Sequence, residues 1–286
     1  PLYEIALSTM WGADQSCPFN ETFIAAQQLG FTCFELTNKV TPALYAQWDG
    51  DRFYVSTVHD PCPSELSYAE LKKRDIAISS LDEKRRQLSL DSLKQSIELA
   101  QSLGSKSVVI HCGTVLCDHS RDKRLREMYN QGRQSSATYM FLRDEFIADR
   151  AAYAGPHLEQ VIKSLQEIIA FSRGSHVALA LENRNRYFDI PLPDELDLFL
   201  GISGDRYYGF QFDIGHAYNQ DALAIMHIVD QLISPTASFV STAPVCDGEA
   251  VTFTNMSEVG VPSLVEYLWD FGDGNTSTDE NPTHLY

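Results

Sequence analysis

Short apolar runs rich in Val, Ile, Phe and Cys recur along the first 234 residues, and longer stretches of helical period separate them. The runs are EIALSTM (4–10), TCFEL (32–36), FYVSTVH (53–59), SVVIHCG (107–113), VALALEN (177–183) and YGFQFDIG (208–215). Each reads as a strand buried on both faces. Between them, ETFIAAQQLG, LDEKRRQLSLDSLKQSIELAQSLG and HLEQVIKSLQEIIAFSRG carry apolar positions three and four apart. They end on Gly30, Gly104 and Gly174, a helix-stop signal. Buried strands followed by helices predict an α/β fold with a parallel sheet covered by helices.

Two parallel architectures fit that pattern, an open doubly wound sheet and a closed (β/α)8 barrel. The polar residues separate them. Glu35, His59, His111 and Glu182 fall at the C-terminal ends of successive runs, and Asp213 and His216 follow the sixth. In a barrel such ends converge on one face, where the active site is built. A doubly wound sheet would carry a glycine-rich phosphate loop after its first strand, and no G-x-G-x-x-G occurs there. The barrel is the stronger expectation.

From Pro235 the texture changes. The last 52 residues are rich in Ser, Thr, Pro and Gly, with alternating segments AVTFTN and EYLWDF. This is all-β punctuation. Two domains are expected, 1–234 and 235–286, with the boundary at Ser234–Pro235. After QFDIGHAYN only DALAIMHIVDQLIS precedes it, a helix-like stretch. Strands seven and eight of a barrel are therefore not expected in this chain. His227, inside that stretch, is a poor ligand candidate because it does not end a strand.

Charge narrows the function classes. The chain has 39 acidic and 22 basic residues and a formal net charge of −17. The last 52 residues contribute eight acidic groups and no Lys or Arg, which leaves −9 on the first domain. Phosphate-backbone binding depends on Lys and Arg displacing counterions, so general nucleic-acid affinity is not expected. The basic run RDKRLR (121–126) reads as a solvated helix face. No run is apolar and long enough for a membrane helix. The N-terminal PLYEIALSTMWG has no basic start leading into an apolar core, so no secretory leader is read there. Cysteines 17, 33, 62, 112, 117 and 246 show no C-x-x-C spacing. They read as small buried hydrophobes, which fits a reducing compartment for the first domain.

Imidazoles and carboxylates ending adjacent parallel strands can converge on one divalent ion, and a mixed N/O donor set suits Zn, Mn, Co or Mg. For any one of these residues a bland role stays open. A strand-end His can be structural, and a strand-end carboxylate can cap the next helix. Four consecutive strands ending in potential ligands favour the functional role. His119, His157 and His176 lack this placement, and His284 belongs to the second domain.

The segments VSTVHDPCP, SVVIHCG, ALENRNRYFDIPLPDEL and FQFDIGHAYN resemble the sugar-phosphate isomerase/epimerase group of the xylose-isomerase-like TIM barrels. The endonuclease IV type of apurinic-site nuclease is a more distant branch. The resemblance implies metal ligands Glu182 and Asp213, with His216 on metal or substrate according to branch and His111 joining the ligands as in the nuclease branch, and a divalent cofactor of unspecified identity. It implies Glu182 and His216 as catalytic groups and Glu35, His59 and Arg184 as substrate contacts. It further implies proton transfer beside a carbonyl of a small sugar in a cytoplasmic setting. The second acid/base carboxylate and a further His ligand would come from strands eight and seven. WDFGDGNTSTDENPTHLY resembles PKD domains, immunoglobulin-like sandwich modules of extracellular and surface proteins. There Trp269 and Phe271 are expected to face the core, and Asp270–Gly274 to form a turn and not a calcium site. Three alternatives stay open: a non-catalytic surface or carbohydrate-associated protein, a chimeric reading frame and, more remotely, an apurinic-site endonuclease. Oligomerisation is compatible with all of them.

Overall fold

The computed structural model describes residues 5–11, 19–50, 52–221, 239–242, 250–256 and 267–285. His227 and the Ser234–Pro235 junction lie outside the described residues. The chain divides into two compact units between Asn219 and Gln220.

In the first unit six strands form one sheet: β1 (Ala6–Ser8), β2 (Cys33–Leu36), β3 (Tyr54–His59), β4 (Ser107–Ile110), β5 (Ala178–Glu182) and β6 (Tyr208–Gln211). Their order in the sheet is their order in the chain, and every pair is parallel. A doubly wound sheet reverses its strand order at a switch point, whereas a barrel wall does not. The consecutive order therefore fits a (β/α)8 wall of which these are the first six strands.

The strands are shorter than the apolar runs that predict them. β4 stops at Ile110 and β5 at Glu182, so His111 and Arg184 stand on the loops just beyond the sheet. The side chains of Val55, Val58, Val108, Ile110, Leu179 and Leu181 are buried in one core, as expected of strands covered on both sides.

The helices include α1 (Phe19–Gln28), α2 (Pro42–Tyr45), α3 (Tyr68–Lys73) and α4 (Glu83–Ser102). They continue with α5 (Ser120–Asn130), α6 (Ala137–Ser172), α7 (Pro193–Leu200) and α8 (Ile214–Asp221). The three expected stops hold: Gly30, Gly104 and Gly174 all have positive φ. α4 starts where Asp82 accepts hydrogen bonds from Lys84 and Arg85 backbone N–H groups. Its Arg86 is fully buried and ion-paired to Glu83 and Glu167, which fastens α4 to α6. α6 is one helix of 36 residues with Pro156 inside it, so the expected helix from His157 is only its second half. The basic run 121–126 lies on α5, where Arg121 pairs with Asp118 and Arg126 with Asp122, as a solvated face would. Cys33, Cys62 and Cys112 are buried free thiols, as their apolar settings predict, and Cys117 is partly buried.

In the second unit the described residues from Phe239 onward form short strands joined by turns. β7 (Phe239–Ser241), β8 (Val251–Asn255) and β11 (Thr283–His284) form one antiparallel sheet, and β9 (Trp269–Asp270) pairs with β10 (Thr276–Ser277). Rings from both groups meet: Trp269 packs on Phe239 and Phe253, and Phe271 on Phe253, with centroids 5.4–5.7 Å apart. The β9–β10 connection is a turn in which the Asp270 side chain accepts from Gly272 N–H and Asp273 from Asn275 N–H. Those bonds are the turn chemistry expected from WDFGDG.

Candidate functional site

The C-terminal ends of β2 to β6 open onto a cavity of about 640 Å³. Glu35, His59, His111, Glu182, Arg184, Asp213 and His216 all line it, so the structure brings together every candidate read from the sequence. The sheet register explains how. Glu35 pairs with Thr57 although Phe34 pairs with Val55, so one residue of β3 bulges there. Such a bulge re-aims the side chains beside it. Glu182 pairs with Gln211 at the end of β5, which places Asp213 two residues past the neighbouring strand end.

Glu182 is the centre of the cluster, with only 3% of its side chain exposed. Its Oε2 lies 3.0 Å from His111 Nε2, 3.8 Å from His59 Nε2 and 3.7 Å from His216 Nδ1. His59 Nε2 and His111 Nε2 are themselves 2.7 Å apart. Arg184 Nη1 donates to both Glu182 Oε2 and His111 Nε2, each at 2.6 Å. Asp213 Oδ1 accepts from the His216 backbone N–H at 2.8 Å, so this carboxylate also caps the start of α8. His216 Nδ1 lies 2.9 Å from the Asn183 carbonyl oxygen. Donation to that carbonyl assigns the ring proton to Nδ1, the nitrogen that also faces Asp213 Oδ2 at 3.3 Å, and leaves the lone pair on Nε2.

Charge distinguishes the two strand-end histidines. Burial opposes a proton on His59, but Glu35, 3.7 Å from Nδ1, and the Glu182 carboxylate outweigh it and raise the pKa. On His111 burial acts in the same direction as the nearby cations, Arg184 first, and the pKa lies well below the usual imidazole value. His111 is therefore neutral and accepts the Arg184 hydrogen bond. Arg184 stays charged: burial lowers its pKa, and Tyr68, Glu182 and Asp189 more than offset that.

Three neighbours were not singled out from the sequence. Tyr68, on α3, packs its ring against His111 with centroids 4.7 Å apart and lies under the Arg184 guanidinium. Asn183 holds the β6–α8 turn against β5: its Nδ2 donates to Asp213 O at 2.8 Å, and its Oδ1 accepts from Asp213 N–H at 2.7 Å. Asp60 accepts from Ser96 Oγ at 2.8 Å, and burial pushes its carboxyl up to about 7. Its position next to the strand-end His59 was the available signal. The remaining histidines play other parts. His157 is buried and bonded to Ser79 O, His119 stacks on Phe188, and His284 pairs with Asp273 in the second unit.

Two donor sets have ligand atoms within 4.8 Å of one another, Glu182–Asp213–His216 and His59–His111–Glu182. The first joins two carboxylates and an imidazole braced by a carbonyl, a donor set that fits a divalent ion. The second already holds the Arg184 guanidinium against two of its three residues.

A parallel sheet in consecutive order, with carboxylates and imidazoles gathered at its C-terminal end, defines a TIM-barrel protein with a polar cluster on the face where such barrels build their sites. Residues 23–239 match the xylose isomerase-like TIM barrel family, and the chain belongs to it. Residues 233–286 match the PKD domain family. Among solved structures, a D-tagatose 3-epimerase-like protein is similar at 18% identity over 77% of this chain and 71% of its own, with a TM-score of 0.50. A 3-keto-D-glucoside 4-epimerase from E. coli shares 15% identity over 77% of this chain and 74% of its own, with a TM-score of 0.48. Among curated proteins, a microbial collagenase of Vibrio alginolyticus is 39% identical over 54 residues, which is 18% of this chain. Collagenase ColQ1 of Bacillus cereus is 70% identical over 23 residues, or 8% of this chain. The chain spans 2–7% of the length of these curated relatives. Among the described residues no helix is long and apolar enough to cross a membrane.

Proposed function

We propose that the first unit is a metal-dependent isomerase or epimerase acting on a small sugar or sugar phosphate. One observation carries this reading: Glu182, Asp213 and His216 form a compact donor set facing a sugar-sized cavity, with Glu35 and His59 among its other walls. The epimerase neighbours and the family membership agree with it.

Glu182, Asp213 and His216 would hold the divalent ion. When bound, such an ion polarises adjacent carbonyl and hydroxyl oxygens and steadies the negative charge that follows loss of a carbon-bound proton. The chain's own groups divide the remaining work. The Glu182 carboxylate removes the proton next to the carbonyl; delivering it to the neighbouring carbon completes an isomerisation, whereas an epimerisation needs a second group to return a proton on the opposite face. His59, held between Glu35 at Nδ1 and His111 at Nε2, shapes the wall of the cavity against which a sugar would lie. Asp213 anchors the backbone of His216, so the two ligands keep one geometry. Asp60 and Tyr68 line the same cavity and restrict water around the reacting carbon.

Incubation with each of Mn2+, Co2+, Zn2+ and Mg2+ and a panel of ketoses in D2O tests this. Deuterium should enter the carbon beside the carbonyl, and Glu182→Gln should slow its entry by about 10²–10⁴-fold. Bound metal without exchange into any ketose would sink the proposal. We place the boundary with the PKD-like module at Ser234–Pro235, and we assign that module to a surface or extracellular setting.

A further inference from the structure

Glu182 belongs to both donor sets, and the two sets are not equivalent. Asp213 and His216 are organised by backbone groups: the Asn183 carbonyl faces His216 Nδ1, and the His216 N–H caps Asp213. On the other side, His111 Nε2 and Glu182 Oε2 each accept a hydrogen bond from a single atom, Arg184 Nη1. His111 Nε2 is the nitrogen an ion in this set would need, since it is the one that lies 3.0 Å from Glu182. The guanidinium is well seated there, with Tyr68 beneath it at 5.2 Å and 10% of its side chain exposed.

An arginine keeps its charge at every accessible pH and presents several donors in a fixed fork. An ion on His111 and Glu182 would have to displace that fork from a buried position and then bear its repulsion a few ångströms away, where solvent screens little. We propose that Arg184 is a built-in cation filling the His59–His111–Glu182 half of the centre, so that the chain takes up one divalent ion and not two. The ion enters at Glu182, Asp213 and His216, and His111 serves the guanidinium as an acceptor. His111 is then a positioning residue for Arg184. This inference rests on the metal-dependent reading given above.

The test is the number of ions bound, which does not depend on turnover. The full chain is stripped with a chelator and titrated with Zn2+ by calorimetry, with elemental analysis of the dialysed protein. The wild type should bind one Zn2+ at the site, and Arg184→Leu should bind two. Adding His111→Gln to Arg184→Leu should return the count to one. In the wild-type background His111→Gln should keep one ion with an affinity within about threefold, a check that stands even where Arg184→Leu does not fold. One ion in both wild type and Arg184→Leu would overturn the inference and leave the metal reading intact. Two ions in the wild type, or loss of the ion in His111→Gln, would also overturn it. Zero ions in wild type and variant would remove the metal reading and this inference together.

Discussion

Replacing Arg150 by methionine tests how the loop beyond Glu182 is held. Arg150 of α6 meets Glu195 of α7 through two bonds, Nη1 to Oε1 at 2.7 Å and Nη2 to Oε2 at 3.1 Å. Nη2 also donates to the Asp189 carbonyl at 3.1 Å. Side-chain exposure is 4% for Arg150 and 7% for Glu195. Methionine keeps much of the length and apolar stem but leaves the Glu195 carboxylate buried, with the Leu192 N–H still donating to it at 2.8 Å. Stranding one partner of a buried pair costs about 3–5 kcal/mol. Adding Glu195→Gln removes the stranded charge and keeps an oxygen for Leu192, so the double variant should lose only about 1–2 kcal/mol. The assay is urea unfolding followed by helical circular dichroism, because α1 to α7 all lie in the first unit. A cost under about 1 kcal/mol for Arg150→Met, or strict additivity in the double variant, would refute the reasoning.

Two further outcomes follow from the site's surroundings. The Asp60 carboxyl, pushed up by burial to about 7, binds its proton more tightly folded than unfolded. Stability should therefore fall as pH rises from about 4 through 7 and level off above. The loss is on the order of 2 kcal/mol, about half of what the whole shift implies, because Asp60 is only partly enclosed by the fold. Asp60→Asn should flatten that slope, and equal slopes in both proteins would count against the assignment. Asn183→Ala removes both side-chain bonds to Asp213. It should weaken Zn2+ binding by about 10–100-fold with small change in the unfolding midpoint, as loss of outer support to ligands does. Unchanged affinity would separate Asn183 from the site.

Much of this fold is legible from period alone, because strands covered on both faces cannot hide their apolar runs. What period does not carry is where hydrogen bonding ends. SVVIHCG reads as one strand, yet pairing stops at Ile110, since beyond it the backbone must leave the sheet to deliver His111 to the cavity. The segment from His157 reads as a separate helix. In the structure Pro156 is accommodated inside α6, whose flanking turns are packed on the core through Ala154, Val161 and Leu165. Asn183 was passed over because its role lies in bridging two strand ends, a long-range relation that one segment does not display.

The deeper gap concerns charge. His59 and His111 end neighbouring strands in similar apolar settings, and residue type and spacing treat them alike. Their ring nitrogens meet at 2.7 Å, yet one has its proton stabilised and the other has it driven off. The difference comes from what approaches each ring from elsewhere: Glu35 across the β2–β3 bulge on one side, Arg184 from the loop after β5 on the other. Two imidazoles this close cannot both carry a proton without strong repulsion, so fixing one as donor fixes the other as acceptor. A guanidinium then completes the set in place of a second ion. Strand-end residue types therefore identify where a cation belongs in such a barrel, while the loop residue two positions past the strand decides whether it arrives from solution or is part of the chain.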